Sequence, residues 1–76
     1  MKDLLEVIAK ALVDSPEQVE VTERKSDDAI RLELKVAPDE VGKVIGKQGK
    51  IAKAIRTLVK ANAVKENKKV YVDINQ

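Results

Sequence analysis

Apolar residues recur along this chain in two rhythms, one of three to four residues and one of two. Early in the chain, Leu4, Ile8, Ala11 and Leu12 form a helical stripe flanked by Leu5 and Val7, with Lys2, Glu6 and Lys10 off it. That spacing predicts an amphipathic helix over residues 4–13. Asp3 stands where an N-cap would, and Glu6 three residues on completes a capping box. Asp14-Ser15-Pro16 ends the helix, and Ser15 before Pro16 suits one short helical turn through Gln18.

The rhythm then changes to two. Val19 and Val21 alternate with Glu20 and Thr22, which predicts a strand over 19–25. Ser26-Asp27-Asp28 is turn chemistry. Over 29–36 the alternation is sharpest: Ile30, Leu32, Leu34 and Val36 against Arg31, Glu33 and Lys35. One covered face and one wet face follow, and the two strands form a hairpin. Near the end, Val70, Val72 and Ile74 alternate with Tyr71, Asp73 and Asn75 in a last strand, placing Tyr71 on the solvent side.

Two helices lie between. Pro38 fits a first helical turn, with Asp39 and Glu40 at its positive end. A short helix runs to Ile45. Gly42 inside it is worse than alanine by about 1 kcal/mol, and the expected compensation is close packing against a neighbouring backbone. From 50 to 63 the chain is two-sided. Ile51, Ala52, Ile55, Leu58 and Val59 share an apolar arc; Lys50, Lys53, Arg56, Thr57 and Lys60 share the opposite one. Between the helices stands Gly46-Lys47-Gln48-Gly49. Gly46 falls where a helix ends and backbone often turns left-handed. Gly49 falls where the next begins, with free N–H groups and a positive dipole end. Without Cβ atoms at its ends, such a turn admits an anionic backbone. A polar loop at 65–68 follows, so the order is αββααβ: an α+β fold with helices on one face of a three-stranded sheet.

Charge sharpens this picture. Residues 1–40 carry 11 acids and 6 bases; residues 41–76 carry 9 bases and 2 acids, and from Val41 to Lys65 there is no acid at all. A basic block on part of a small fold suits a polyanion, though it also suits a solvated lysine-rich surface. With no Phe, no Trp and one Tyr, the core must be aliphatic. With no Cys or His, and serines only at Ser15 and Ser26, neither a metal site, a cofactor nor a catalytic residue is indicated. Without cysteine there is no disulfide, which is compatible with the cytoplasm. The acidic, amphipathic N-terminus is not a signal peptide, and no apolar run predicts a membrane span. A 76-residue chain has a thin core. Ala54, Ala61 and Val64 at the edge of the last apolar arc would let a second copy approach closely, which predicts a dimer.

The run Val41-Gly42-Lys43-Val44-Ile45-Gly46-Lys47-Gln48-Gly49-Lys50-Ile51, followed by Ile55, resembles the signature of KH domains, and the element order resembles their type II arrangement. The resemblance covers the whole chain as one domain, residues 1–76, and is strongest to small stand-alone bacterial members. It implies binding of single-stranded RNA, in the role of an RNA chaperone or post-transcriptional regulator. It also implies a homodimer, or a heterodimer with a larger KH-containing protein. KH domains clamp the backbone of about four nucleotides on this loop. Carried over, the RNA-binding residues are Gly46, Lys47, Gln48, Gly49, Lys50, Lys43, Ile45 and Lys53. Ile45, with Val44 or Ile51, would floor the groove under the bases, while Ile51 and Ile55 also suit the core. Lys50 and Lys53 suit either phosphate contact or a solvated face. Tyr71 points away from the helices and is not expected to stack a base, so sequence preference should be slight.

Three rivals fit less well. A helix-turn-helix DNA reader with 50–63 as recognition helix would show more Asn and Gln among its lysines. A nucleotide-hydrolysing phosphate loop needs Ser or Thr where Gln48 stands. A pure interaction module would use the fold to dimerise and recruit a partner.

Overall fold

Among the residues that the computed structural model describes, 2–63 and 67–74, three helices and three strands form in the expected order. Helix α1 (Lys2–Leu12) buries Leu5 and Ala9. It starts before Asp3, so that carboxylate sits in the first turn, where the helix dipole favours it, rather than at an N-cap. A 3-10 turn at Pro16–Gln18 leads into strand β1 (Glu20–Lys25), which joins strand β2 (Ala29–Lys35) in an antiparallel hairpin. The Ser26 N–H donates to the Ala29 carbonyl at 2.8 Å to close it.

Strand β3 (Lys69–Ile74) pairs parallel to β2, with Leu32 opposite Val72, giving the mixed sheet β1-β2-β3. Parallel pairing requires a crossover. A 3-10 turn at Pro38–Glu40, helix α2 (Val41–Ile45), a tight turn at Lys47–Gly49 and helix α3 (Lys50–Asn62) supply it. The period of two puts Val21, Ile30, Leu32, Leu34, Val70, Val72 and Ile74 on the covered face. There they meet Leu5, Ala9, Val44, Ala52, Ile55 and Val59 of the helices in one aliphatic core. The opposite face is wet. Its Tyr71 ring is 43% exposed, and the Arg31 guanidinium lies 5.2 Å from the ring centroid, pinned by Asp73 at 2.8 Å. This is an α+β fold of the type II KH kind.

Three expectations are corrected by packing. Leu58 is 54% exposed rather than on the buried arc, because the helix meets the sheet over Ala52, Ile55 and Val59, and Leu58 falls outside that contact. Gly42 is not packed against anything: a Cβ there would meet no atom within 4 Å. It faces solvent because the opposite side of the short helix carries Val44, which is fully buried. That burial also removes Val44 as a groove floor. Val64 and the first half of the 65–68 loop, residues 65 and 66, lie outside the described residues.

Candidate nucleic-acid interface

Helix α2 is only five residues long, too short to stand alone, and its surroundings fix where the following turn points. At its C-terminus the Gly46 N–H donates to the Gly42 carbonyl at 2.9 Å, and the Gly49 N–H donates to the Gly46 carbonyl at 3.1 Å. Gly46 has φ 76° and ψ 173°, Gln48 has φ 58° and ψ 24°, and Gly49 has φ 72° and ψ 14°. The first is a region open to glycine alone, the other two are left-handed helical. Three positive-φ residues within four positions turn the chain sharply and leave the Lys47 and Gln48 side chains exposed at its apex.

The two glycines differ in surroundings. A Cβ on Gly46 would lie 2.5 Å from Ile51 Cγ1 and 2.8 Å from its Cβ, whereas one on Gly49 would meet nothing within 4 Å. Gly46 therefore makes room for Ile51 from within, and only Gly49 leaves the outer side of the turn bare. Ile45 and Ile51 are partly buried against the core and keep part of their apolar surface at the turn.

The cations divide into two groups. Lys10 pairs with Glu6 at 3.0 Å, Arg24 with Glu33 at 3.7 Å, Lys25 with Glu23 at 3.9 Å and Arg31 with Asp73 at 2.8 Å. Lys43 is bonded to Asp14; that bond, helped by the charges of Asp14, Glu40 and Asp39, holds its pKa above the usual lysine value against the opposing cost of desolvation. By contrast, no acidic side chain among the described residues forms an ion pair with Lys47, Lys50, Lys53 or Lys60, all exposed. The structure thus groups Lys47, Gln48, Gly49, Lys50 and Lys53 at the turn and the start of α3, and engages Lys43 elsewhere.

The positive surface reaches further than the expected set. Along α3, Lys50 to Lys60 spans ten residues, about 15 Å at 1.5 Å per residue. Arg56 Nε donates to the Val72 carbonyl at 3.3 Å, lashing α3 to the open edge of β3. Beyond it, Lys60, Lys68 and Lys69 border one hollow with Asn67, Val70 and Tyr71, in which Asp28 is the one acid among the described residues. Lys68 lies in the loop before β3 and Lys69 opens that strand, so neither falls on the basic arc of α3 that helical spacing picks out. The lysine-rich composition of the second half is the signal that marked them.

Two antiparallel strands, a third in parallel, and a Gly-x-x-Gly turn between paired helices together define a KH domain of type II. The family model described as KhpA/KhpB, KH domain, matches residues 2–74, and the chain belongs to that family. A Clostridium perfringens protein named RNA-binding protein KhpA is 66% identical over 74 residues, covering 97% of this chain and 99% of that one. The protein of that name from Clostridium acetobutylicum is also 66% identical with the same coverage. One from Aquifex aeolicus is 47% identical over 97% of this chain and 94% of its own. No solved structure gives a significant match. No described helix is long and apolar enough to cross a membrane.

Proposed function

We propose that this chain binds single-stranded RNA, with phosphates held at Gly46-Lys47-Gln48-Gly49 and along the Lys50, Lys53 and Lys60 face of α3. The observation that carries this reading is the row of exposed ammonium groups without acidic partners, which begins at a turn whose outer side is bare at Gly49. The name that its relatives carry, RNA-binding protein KhpA, supports it. Phosphates of about four nucleotides would face Lys47, the Gln48 amide and the start of α3. Bases would lie over the partly buried Ile45 and Ile51 toward the edge of β3. The chain performs no chemistry in this reading. It holds RNA without a free aromatic ring on that side, so affinity rests on phosphates and sequence preference is slight. Such binding suits an RNA chaperone or post-transcriptional regulator acting in the cytoplasm.

The test is the double variant Lys47→Asp, Gln48→Asp. Both side chains are exposed, so unfolding free energy should change by no more than about 0.5 kcal/mol for each. RNA affinity should fall at least about tenfold, since two negative charges then face the phosphates. If about three phosphates are held, the wild-type log–log salt slope should be near −2, at about −0.7 per phosphate. Unchanged affinity in the double variant, or tighter binding to duplex DNA than to single-stranded RNA, would reject this reading.

A second element of the proposal is association, either with another copy or with a larger KH-containing protein. Leu58 at 54% and Val7 at 67% exposure, with Ala54 and Ala61 exposed beside Leu58 on α3, support it. Sedimentation at tens of micromolar (roughly the weak-dimer range) should show a dimer. A monomer there removes self-association and leaves the larger partner to be tested. The turn variant separates this role from RNA binding, because a scaffold should tolerate it.

A further inference from the structure

A five-residue helix ahead of a functional turn needs to be held at both ends. Its C-terminus is held by Val44 in the core and by Ile51 filled in against Gly46. What holds its N-terminus is a carboxylate. Glu40, directly before α2, is 5% exposed and is the buried polar side chain among the described residues. Its Oε2 accepts the backbone N–H of Asp14 at 2.9 Å and that of Ser15 at 3.4 Å. One turn further on, Lys43 reaches the Asp14 side chain. Residues 40 and 43 thus both grip the segment that follows α1, although 26 and 29 residues separate the partners.

A buried carboxylate is an expensive way to fill space, since desolvating a charge costs several kcal/mol unless its hydrogen bonds are made. An apolar side chain of similar volume would pack the same position at less cost. No cation among the described residues forms an ion pair with Glu40; its partners are backbone amides. Those amides belong to a chain reversal outside any helix, where they lack an intrahelical acceptor. The carboxylate therefore fixes a distance and a direction between two segments, which an apolar contact does not do.

We propose that Glu40 is a positioning residue for the RNA-binding turn: it aligns α2, and through α2 the Gly46-to-Gly49 backbone, without touching RNA. This rests on the RNA-binding reading above. Freed of the clamp, α2 should sample other tilts, and apparent affinity should drop by the fraction of molecules with a competent turn.

The experiment compares Glu40→Leu, which removes the acceptor at similar volume, with Glu40→Gln, which retains a carbonyl oxygen in its place. Val21→Ala serves as a control, since it loosens the core at β1, away from the turn. Binding of a single-stranded RNA is measured well below each melting temperature. Affinity should fall about tenfold in Glu40→Leu if a tenth of molecules keep the competent turn, recover to within about threefold of wild type in Glu40→Gln, and stay unchanged in Val21→Ala. The salt slope should be the same throughout, because no phosphate contact is lost. Should Glu40→Leu fail to fold, amide exchange in Glu40→Ala, which removes the acceptor without adding bulk, decides: Gly46 and Gly49 should exchange faster than in wild type while the β2 amides do not.

Folded Glu40→Leu with wild-type affinity, or equal losses in Val21→Ala, would overturn the positioning role. So would unaltered exchange at Gly46 and Gly49. Wild-type protein that binds no RNA would instead overturn the function on which the proposal rests, and the exchange arm would still report whether Glu40 orders the turn.

Discussion

Gly46 and Gly49 stand three residues apart with nearly the same φ, 76° and 72°, yet they face opposite problems. Gly46 combines its positive φ with an extended ψ, and the space its side chain would take is filled by Ile51. Gly49 adopts the left-handed helical conformation that Asn tolerates as well, and the space beside it is open. One glycine is there for what lies inside the protein, the other leaves room for what comes from outside. A motif written as two equal glycines hides this division. The bare outer side at Gly49 is what an approaching phosphate would use, while Gly46 sets the path of the chain that presents it.

The largest effect should come from Gly46→Ala. Strain at that φ and ψ costs about 1–3 kcal/mol, and overpacking against Ile51 adds about 1–3 kcal/mol. A loss near 3 kcal/mol in denaturant unfolding is expected, with a melting temperature lower by more than about 12 °C for a domain of this size. A loss under about 1 kcal/mol would mean that the two glycines are equivalent after all. Gly49→Ala should cost less, about 1 kcal/mol, from the left-handed conformation alone. Its added methyl group stands on the open side, so RNA affinity should suffer more than melting; titration beside thermal unfolding reads the two apart. Gly42 sharpens the contrast from the other side. It lies in a helix, meets nothing and needs no positive φ. Gly42→Ala should therefore stabilise the fold by about 0.5–1 kcal/mol, and a destabilised variant would show that the position is packed in some bound or assembled state.

Much of this was legible in the amino-acid pattern. The alternation Ile30, Leu32, Leu34 and that of Val70, Val72, Ile74 located two strands and their inner faces, because a period of two has a single geometric meaning on a half-covered sheet. The turn and the basic face of α3 were legible because they are local: neighbours in sequence are neighbours in space. What escaped was long-range. Glu40 reads as an exposed acid at a helix start, and nothing nearby reveals that residues 14 and 15 bring it two amides. Lys43 reads as one more basic residue next to the turn, and its partner Asp14 stands 29 positions earlier. Leu58 fits the apolar arc by spacing, but how wide an arc the sheet covers depends on the tilt of the helix, which spacing does not encode.

The parallel pairing of β2 with β3 has a kinetic consequence. The β1–β2 hairpin closes over a three-residue turn, whereas Leu32 and Val72 are 40 positions apart. Bringing distant segments together costs more chain entropy than closing a hairpin and slows folding. The hairpin should therefore form early and β3 should add last, once the α2–α3 crossover has folded. In the interval one side of β2 has unpaired backbone groups along Ile30, Leu32 and Leu34, the kind of edge on which chains join one another. For this protein the order of assembly makes a newly synthesised chain most prone to aggregation just before its last strand arrives.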